Sequence, residues 1–288
     1  MNKLSSDGEK VGVVGCGLMG AGIAETCARA GLEVVAVETN EDAANLGRIR
    51  LEKSLSRAEA KGAIASAADV LERVQIGTNL NALADRSIVV EAIMEDEAVK
   101  TALFRELDQI VVSKDAILAS NTSSIPIIKL GVATSRPGHV IGVHFFNPVP
   151  VLSLVELIPS YFTAEATTER ARTFVQERLG KHAIDCQDRA GFVVNALLIP
   201  FLLSAIRMVE GGFATPEDID EGLIRGCAHP QGPLALADLI GLDTTRAIAD
   251  ALYEEYKEPQ YACPPLLARM VDAGQLGRKS GRGFYAYS

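Results

Sequence analysis

The sequence predicts an α/β protein: a doubly wound, mostly parallel sheet followed by an all-helical C-terminal domain. Three observations predict it. From Val11 to about Cys186, short β-rich runs alternate with longer helical patterns. The first run ends in a glycine-rich turn that opens a helix. After Asp188–Phe192 (DRAGF) the β-rich runs stop and helical periodicity takes over. Alternation of this kind is satisfied by parallel strands joined through right-handed crossovers. The expected domains are 1–187 for the sheet and 188–288 for the helices.

In chain order, KVGVVG, EVVAVE, SIVVEAI, AILAS and HVIGVHFF read as strands, with helical stretches between the first four. Beyond DRAGF, Phe192–Glu210, Pro216–Arg225, Pro233–Tyr256 and Pro264–Ala273 read as helices broken by glycine and proline. Phe192–Glu210 is apolar nearly all the way round, so it must be covered on more than one side. A helical domain of about a hundred residues is poorly placed to do that alone. Part of this helix is therefore expected in a subunit interface, making a homodimer through the C-terminal domain. Burial against the first domain is the alternative.

With 288 residues, 48% of them hydrophobic and 23% charged, the chain can bury a large core. A formal charge of −9 argues against nucleic acid as a partner, because phosphate neutralisation needs a basic surface. The longest apolar run, Phe192–Ile206, is too short for a bilayer and contains Asn195, Pro200 and Ser204, so no membrane span is expected. Nothing at the amino terminus reads as a secretion signal. The five cysteines lack a C-x-x-C pair and read as small buried hydrophobes in a reducing, cytoplasmic compartment. No His, Cys and carboxylate cluster has metal-ligand spacing, and no metal is expected.

The chemistry begins at VGVVGCGLMGAG, which holds Gly15-x-Gly17-x-x-Gly20 between a strand and a helix. Gly15 permits the tight turn, Gly17 lets a pyrophosphate approach the backbone, and Gly20 lets helix and strand pack closely. The N–H groups at the helix start, from Leu18 and Met19 onward, favour the phosphates. The next strand ends in Glu38, eighteen residues after Gly20, where an acid bonds the adenosine ribose hydroxyls and repels a 2′-phosphate. NAD is thus favoured over NADP, in a Rossmann-type domain. Glu95 and Lys100 follow the third strand, and Asn121, Ser123 and Ser124 the fourth. Beyond the carboxyl ends of the strands they face the ligand crevice. On spacing alone, solvated helix-start charges are the favoured reading of Glu95 and Lys100, and a polar turn and cap explains Asn121, Ser123 and Ser124 equally well.

One of only four histidines, His144, lies in the apolar stretch HFFNPVPVLSLVE with Asn147 behind it and Glu156 at its end. It is either a satisfied core histidine or an acid–base group with its own carboxylate. The chain resembles the short-chain L-3-hydroxyacyl-CoA dehydrogenase family over nearly its whole length. The resemblance rests on GCGLMGAGIA, VEAIMEDEAVK, ASNTSSI, GVHFFNPVPVLSLVE, GFVVNALL, HPQGPLALADLIGLDT and GRKSGRGFY, in the family's order. It implies NAD-dependent oxidation of a (S)-3-hydroxyacyl-CoA and the reverse reaction, with an acyl-CoA as substrate. His144 then matches the catalytic base, Glu156 the carboxylate that orients it, and Ser123 and Asn195 the residues that bind the reacting oxygen. Glu38 matches the acidic ribose position, often aspartate in relatives. Glu95, Lys100, Ser123, Asn147 and Lys279 match positions lining the NAD site.

Histidine suits the proton step, since an unperturbed imidazole titrates near ~6.5 and a carboxylate neighbour favours its cation. His139, His182 and His229 read as structural or surface residues. Ser54 and Lys61 match coenzyme A contacts. They lie with Arg50, Lys53 and Arg57 on one helical face, which without the resemblance reads as a solvated face. Two rival readings share the fold: a dehydrogenase of a free hydroxy acid such as L-gulonate, and a non-catalytic NAD-binding scaffold. Retention of His144, Glu156, Ser123 and Asn195 together speaks against the scaffold.

Overall fold

Strand β1 (Lys10–Val14) exposes Lys10 and buries its next four residues, as a strand covered on both faces must. This computed structural model describes residues 9–287, in two compact units that divide between Asp188 and Arg189. In the first unit β1 leads to α1 (Leu18–Arg29), β2 (Glu33–Val37), α2 (Glu41–Ala60), α3 (Ala67–Leu71) and β3 (Val74–Gly77). Then follow β4 (Ile88–Glu91), α4 (Glu97–Ile110), β5 (Ile117–Ser120), α5 (Ile127–Gly131), β6 (Val140–Phe145), β7 (Leu154–Pro159), α6 (Glu165–Thr173) and β8 (His182–Asp185).

The eight strands form one sheet in the order β3-β2-β1-β4-β5-β6-β7-β8. Every pairing is parallel except β6 with β7. The winding reverses between β1 and β4, which opens a crevice at their carboxyl ends. All five strands read from the sequence are present. Three more, β3, β7 and β8, extend the sheet. β3 and β8 are four-residue edge strands with only partial burial, so they carry little sequence signal. β7 is a six-residue run with four fully buried central residues.

Local chemistry fixes the helix starts. Asn40 Oδ1 accepts from Ala43 N at 2.9 Å at the head of α2, and Asp96 Oδ1 accepts from Val99 N at 2.9 Å at the head of α4. The start of α5 is held from far along the chain: Asp188 accepts from Ile127 N at 2.7 Å and Ile128 N at 2.8 Å. Helix α1 differs. Its cap is Gly17, with no side-chain acceptor and no acid in its first turn.

The second unit contains α7 (Val194–Glu210), α8 (Pro216–Cys227), α9 (Pro233–Ile240), α10 (Leu242–Tyr256) and α11 (Pro265–Asp272). The expected continuous segment Pro233–Tyr256 is two helices. Gly241 takes φ +103°, a conformation that breaks the helix and that side-chain-bearing residues rarely adopt. On α7 one face is buried, including Asn195, Ile199, Leu202, Leu203 and Ile206, while Leu197 is 72% exposed. Cys227 is exposed at the end of α8 and Cys263 half-buried, so only part of the cysteine set is core. No helix among the described residues is long and apolar enough to cross a membrane.

Two buried carboxylates tie the carboxyl-terminal segment to this unit. Asp238 accepts from Phe284 N and Tyr285 N at 3.0 Å and from Tyr287 Oη at 2.9 Å. Asp220 accepts from Leu234 N, Ala235 N and Tyr285 Oη at 2.8, 2.9 and 2.9 Å. Asp238→Ala leaves these donors unpaired and is expected to cost about 3 kcal/mol. The unfolding midpoint should then fall by roughly 6–12 °C. A thermal melt of Asp238→Ala indistinguishable from that of the surface variant Asp250→Ala would overturn this account.

Candidate active site

The glycine turn has the shape that an anionic dinucleotide needs. Gly15 sits at φ +90°, and a Cβ there would meet Ala92 O at 2.7 Å. A Cβ on Gly20 would collide with Gly15 O, so helix and strand pack as closely as they do only because both positions lack one. Around Gly17 there is nothing within 4 Å of the place a Cβ would take. Above that open spot the first N–H groups of α1, at exposed Leu18 and half-buried Met19, face no capping side chain. Glu38, just past β2, reaches back to the turn, where its Oε1 accepts from Cys16 N at 2.5 Å and its Oε2 from Thr39 N at 3.2 Å. The residues present fit NAD: open phosphate donors, a close backbone, and an anchored carboxylate for ribose hydroxyls.

A buried charge relay lies past the ends of β4 and β5. Lys100, 1% exposed, places Nζ 3.0 Å from Glu91 Oε1 and 2.7 Å from Glu95 Oε2. The other oxygen of Glu91 accepts from Ser120 Oγ at 2.6 Å, and Oε1 also takes Ile93 N at 2.7 Å. Glu95 Oε1 gathers the next loop: Thr122 Oγ1 at 2.6 Å, Ser123 N at 2.9 Å, Ser124 Oγ at 3.0 Å and Ser124 N at 3.2 Å. Burial pushes the Glu91 carboxyl above its ordinary range, against the pull of Lys100. For Glu95 burial pushes the same way, but Lys100 and the loop donors outweigh it and hold the carboxyl low. Glu95 is thus a fixed anion that shapes the 122–124 loop and sets the half-buried Ser123.

His144 and Glu156 come together through the sheet. They are directly opposed residues of the antiparallel β6–β7 pair, so their side chains leave the same face. His144 Nδ1 and Glu156 Oε2 are 2.7 Å apart, with 6% and 0% of the two residues exposed. Phe146 packs edge-on against the imidazole at 4.6 Å between ring centroids. Asn121 ties this strand to its neighbour: its Oδ1 accepts from Phe145 N at 2.8 Å and its own N–H donates to Glu91 O at 2.8 Å. The ends of β4, β5 and β6 thereby carry the relay, the serine loop and the histidine along one edge of the sheet.

The other expected residues have the following settings within their own units. Asn147 is exposed in the loop after β6. Ser54 is half-buried against the carboxyl of Glu25, whose proton affinity its hydroxyl helps to lower, and Lys61 is exposed at the end of α2. In the second unit, Asn195 is 9% exposed in the first turn of α7. Lys279 Nζ pairs there with Asp243 Oδ2 at 2.6 Å. His182 is exposed at the start of β8, and His139 lies in the turn before β6, 3.4 Å from Thr167 Oγ1. Among the described residues no group of three His, Cys, Asp or Glu side chains could hold a metal ion.

Sequence reasoning passed over Glu91 and Thr122, and placed Arg50 only on the basic face of α2 that holds Ser54 and Lys61. Glu91 had a signal, a lone carboxylate inside the apolar run SIVVEAI, where an unpaired charge is too costly to stand. Arg50 reaches Cys16 O at 3.4 Å, a target that helix periodicity does not indicate.

Two family profiles together span the described chain. Residues 10–189 match "3-hydroxyacyl-CoA dehydrogenase, NAD binding domain" and residues 191–287 match "3-hydroxyacyl-CoA dehydrogenase, C-terminal domain". A 3-hydroxybutyryl-CoA dehydrogenase of Mycobacterium tuberculosis is 57% identical over 281 residues, covering 97% of this chain and 98% of that one. Human mitochondrial hydroxyacyl-coenzyme A dehydrogenase is 41% identical over 286 residues, covering 96% and 90%. The crystal structure of (S)-3-hydroxybutyryl-CoA dehydrogenase from Ralstonia eutropha superposes with a TM-score of 0.91 at 45% identity, covering 97% and 99%.

The relay makes a quantitative contrast testable. Lys100→Met strands the fully buried Glu91 carboxylate and removes the cation from the partly exposed Glu95, and should cost about 3–5 kcal/mol. Lys129→Met removes an ion pair with Glu97 in which both side chains are half exposed, and should cost under about 1 kcal/mol. Equal losses for the two variants in denaturant unfolding would show that the relay carries no special weight.

Proposed function

The chain belongs to the 3-hydroxyacyl-CoA dehydrogenase family, and from that premise we propose how its own residues carry out the reaction. The activity is NAD-dependent oxidation of (S)-3-hydroxyacyl-CoA to 3-ketoacyl-CoA, and its reverse; 3-hydroxybutyryl-CoA is the substrate for which its relatives are named. The observation that carries the residue assignment is the buried 2.7 Å contact of His144 Nδ1 with Glu156 Oε2.

His144 is the general base. Glu156 holds Nδ1, so the imidazole works through Nε2, taking the hydroxyl proton during oxidation and returning it during reduction. The carboxylate fixes the tautomer and offsets the positive charge that the ring acquires. When bound, NAD supplies the hydride acceptor. Gly15, Gly17, Leu18, Met19 and Gly20 hold its phosphates and Glu38 its ribose. Glu95, Lys100 and Asn121 keep the neighbouring loop in place, and Asn147 and Lys279 line the site. Ser123 and Asn195 bind the reacting oxygen and stabilise the charge that develops on it. Lys61, with Ser54, contacts the phosphates of coenzyme A. A cytoplasmic location is part of the same reading.

The assembly proposed is a homodimer through the helical unit. Leu197 and Met208 on α7 are 72% and 43% exposed, and Phe213, just after the helix, is 82% exposed. A second copy of the same face is the simplest cover for such a patch. Leu197→Glu should convert the dimer to monomer in light scattering at micromolar protein. A variant of unchanged mass would move the interface elsewhere.

His144→Ala is expected to lower kcat with acetoacetyl-CoA by ~10²–10⁴-fold with the fold intact. Glu156→Gln should lower turnover severely while leaving NAD affinity in place. A folded His144→Ala enzyme of near-normal turnover would remove this residue from the mechanism. Lys61→Glu should raise KM for acetoacetyl-CoA but not for a truncated thioester lacking the nucleotide; an equal effect on both would reject the phosphate contact.

A further inference from the structure

Helix α2 brings Arg50, which the reaction above does not use, to the glycine turn. Arg50 Nη1 lies 3.4 Å from Cys16 O, while the N–H of the same residue is held 2.5 Å from Glu38 Oε1. One residue of the turn, Cys16, therefore has a guanidinium on its carbonyl and a carboxylate on its amide. Gly47 makes the approach possible, because a Cβ there would meet Cys16 Cβ and Sγ at 2.7 Å. Burial and Glu38 push the Cys16 thiol up to about 11, with Arg50 and Arg48 pulling the other way. Both arginines are exposed.

The residues around the end of the second strand decide which dinucleotide is admitted. An acid there bonds the ribose hydroxyls, whereas a nearby arginine accommodates a 2′-phosphate, often through two parallel N–H···O bonds. This chain carries both chemistries on one turn. The acid has the first claim on the site because Cys16 N–H and Thr39 N–H anchor it. We propose that Arg50 forms a latent 2′-phosphate site, and that the Glu38 carboxylate alone keeps NADP out. Arg50 then offsets the charge of Glu38 in the native enzyme and becomes a phosphate ligand once that charge is gone.

This inference rests on the glycine turn being the NAD site, and the experiment separates the two. Calorimetric titration with NAD⁺ and NADP⁺ is run on wild type, Glu38→Gln, Glu38→Ser, Arg50→Met and Glu38→Gln/Arg50→Met, with circular dichroism as the folding control. Glutamine keeps an acceptor for Cys16 N–H, and the serine variant removes the carboxylate without adding an amide. In either single variant NADP⁺ affinity should rise at least ~10-fold, and that gain should shrink with added salt as an exposed ionic contact does. Adding Arg50→Met to Glu38→Gln should abolish most of it. Folded Glu38 variants that still reject NADP⁺ would overturn the proposal, as would a gain that survives Arg50→Met. Wild type that binds neither dinucleotide would instead overturn the cofactor site itself.

Discussion

The antiparallel pairing of β6 with β7 is the constraint on which the site depends. In a sheet otherwise parallel throughout, this one reversal sets His144 directly opposite Glu156 and sends both side chains to one face. A slip of one residue in that register would put them on opposite faces. The pairing is secured from both sides, by β5 along β6 and by β8 along β7. The 2.7 Å contact is therefore a product of backbone hydrogen bonding, and the chemistry inherits its rigidity.

Buried charge supplies the second layer of order. Lys100 sits between Glu91, which is fully buried, and Glu95, whose side chain is partly open to water. Such a group is tolerable only because donors converge on it: Ser120 and Ile93 N–H on Glu91, and the 122–124 loop on Glu95. Asn121 links this relay to the backbone of β6. Charge satisfaction and positioning of Ser123 are thus one arrangement.

The glycine turn follows the opposite logic. There the backbone is stripped of side chains, and the donors at the start of α1 are left without a cap so that a ligand can supply one. Selectivity is then a matter of which charges border the turn. Glu38 and Arg50 grip the two sides of Cys16, and their balance sets the electrostatics facing a ribose.

The sequence by itself determined what short-range chemistry encodes. The strand–turn–helix glycines, the acid ending β2, the helical carboxyl-terminal half and the apolar setting of His144 are each written within a few residues. A backbone at φ +90° or a helix without a cap has a local signature. Recognition of Glu156 as the partner of His144 came from resemblance and not from periodicity. Only the tertiary structure decided that β7 runs antiparallel, that β3 and β8 close the sheet edges, and that Gly241 splits one periodic stretch into two helices. It also decided that Glu91 belongs with Lys100, that Ser54 faces Glu25, and that Arg50 reaches Cys16. Strand direction and charge pairing are contacts between segments far apart in the chain, and no local pattern carries the partner's address.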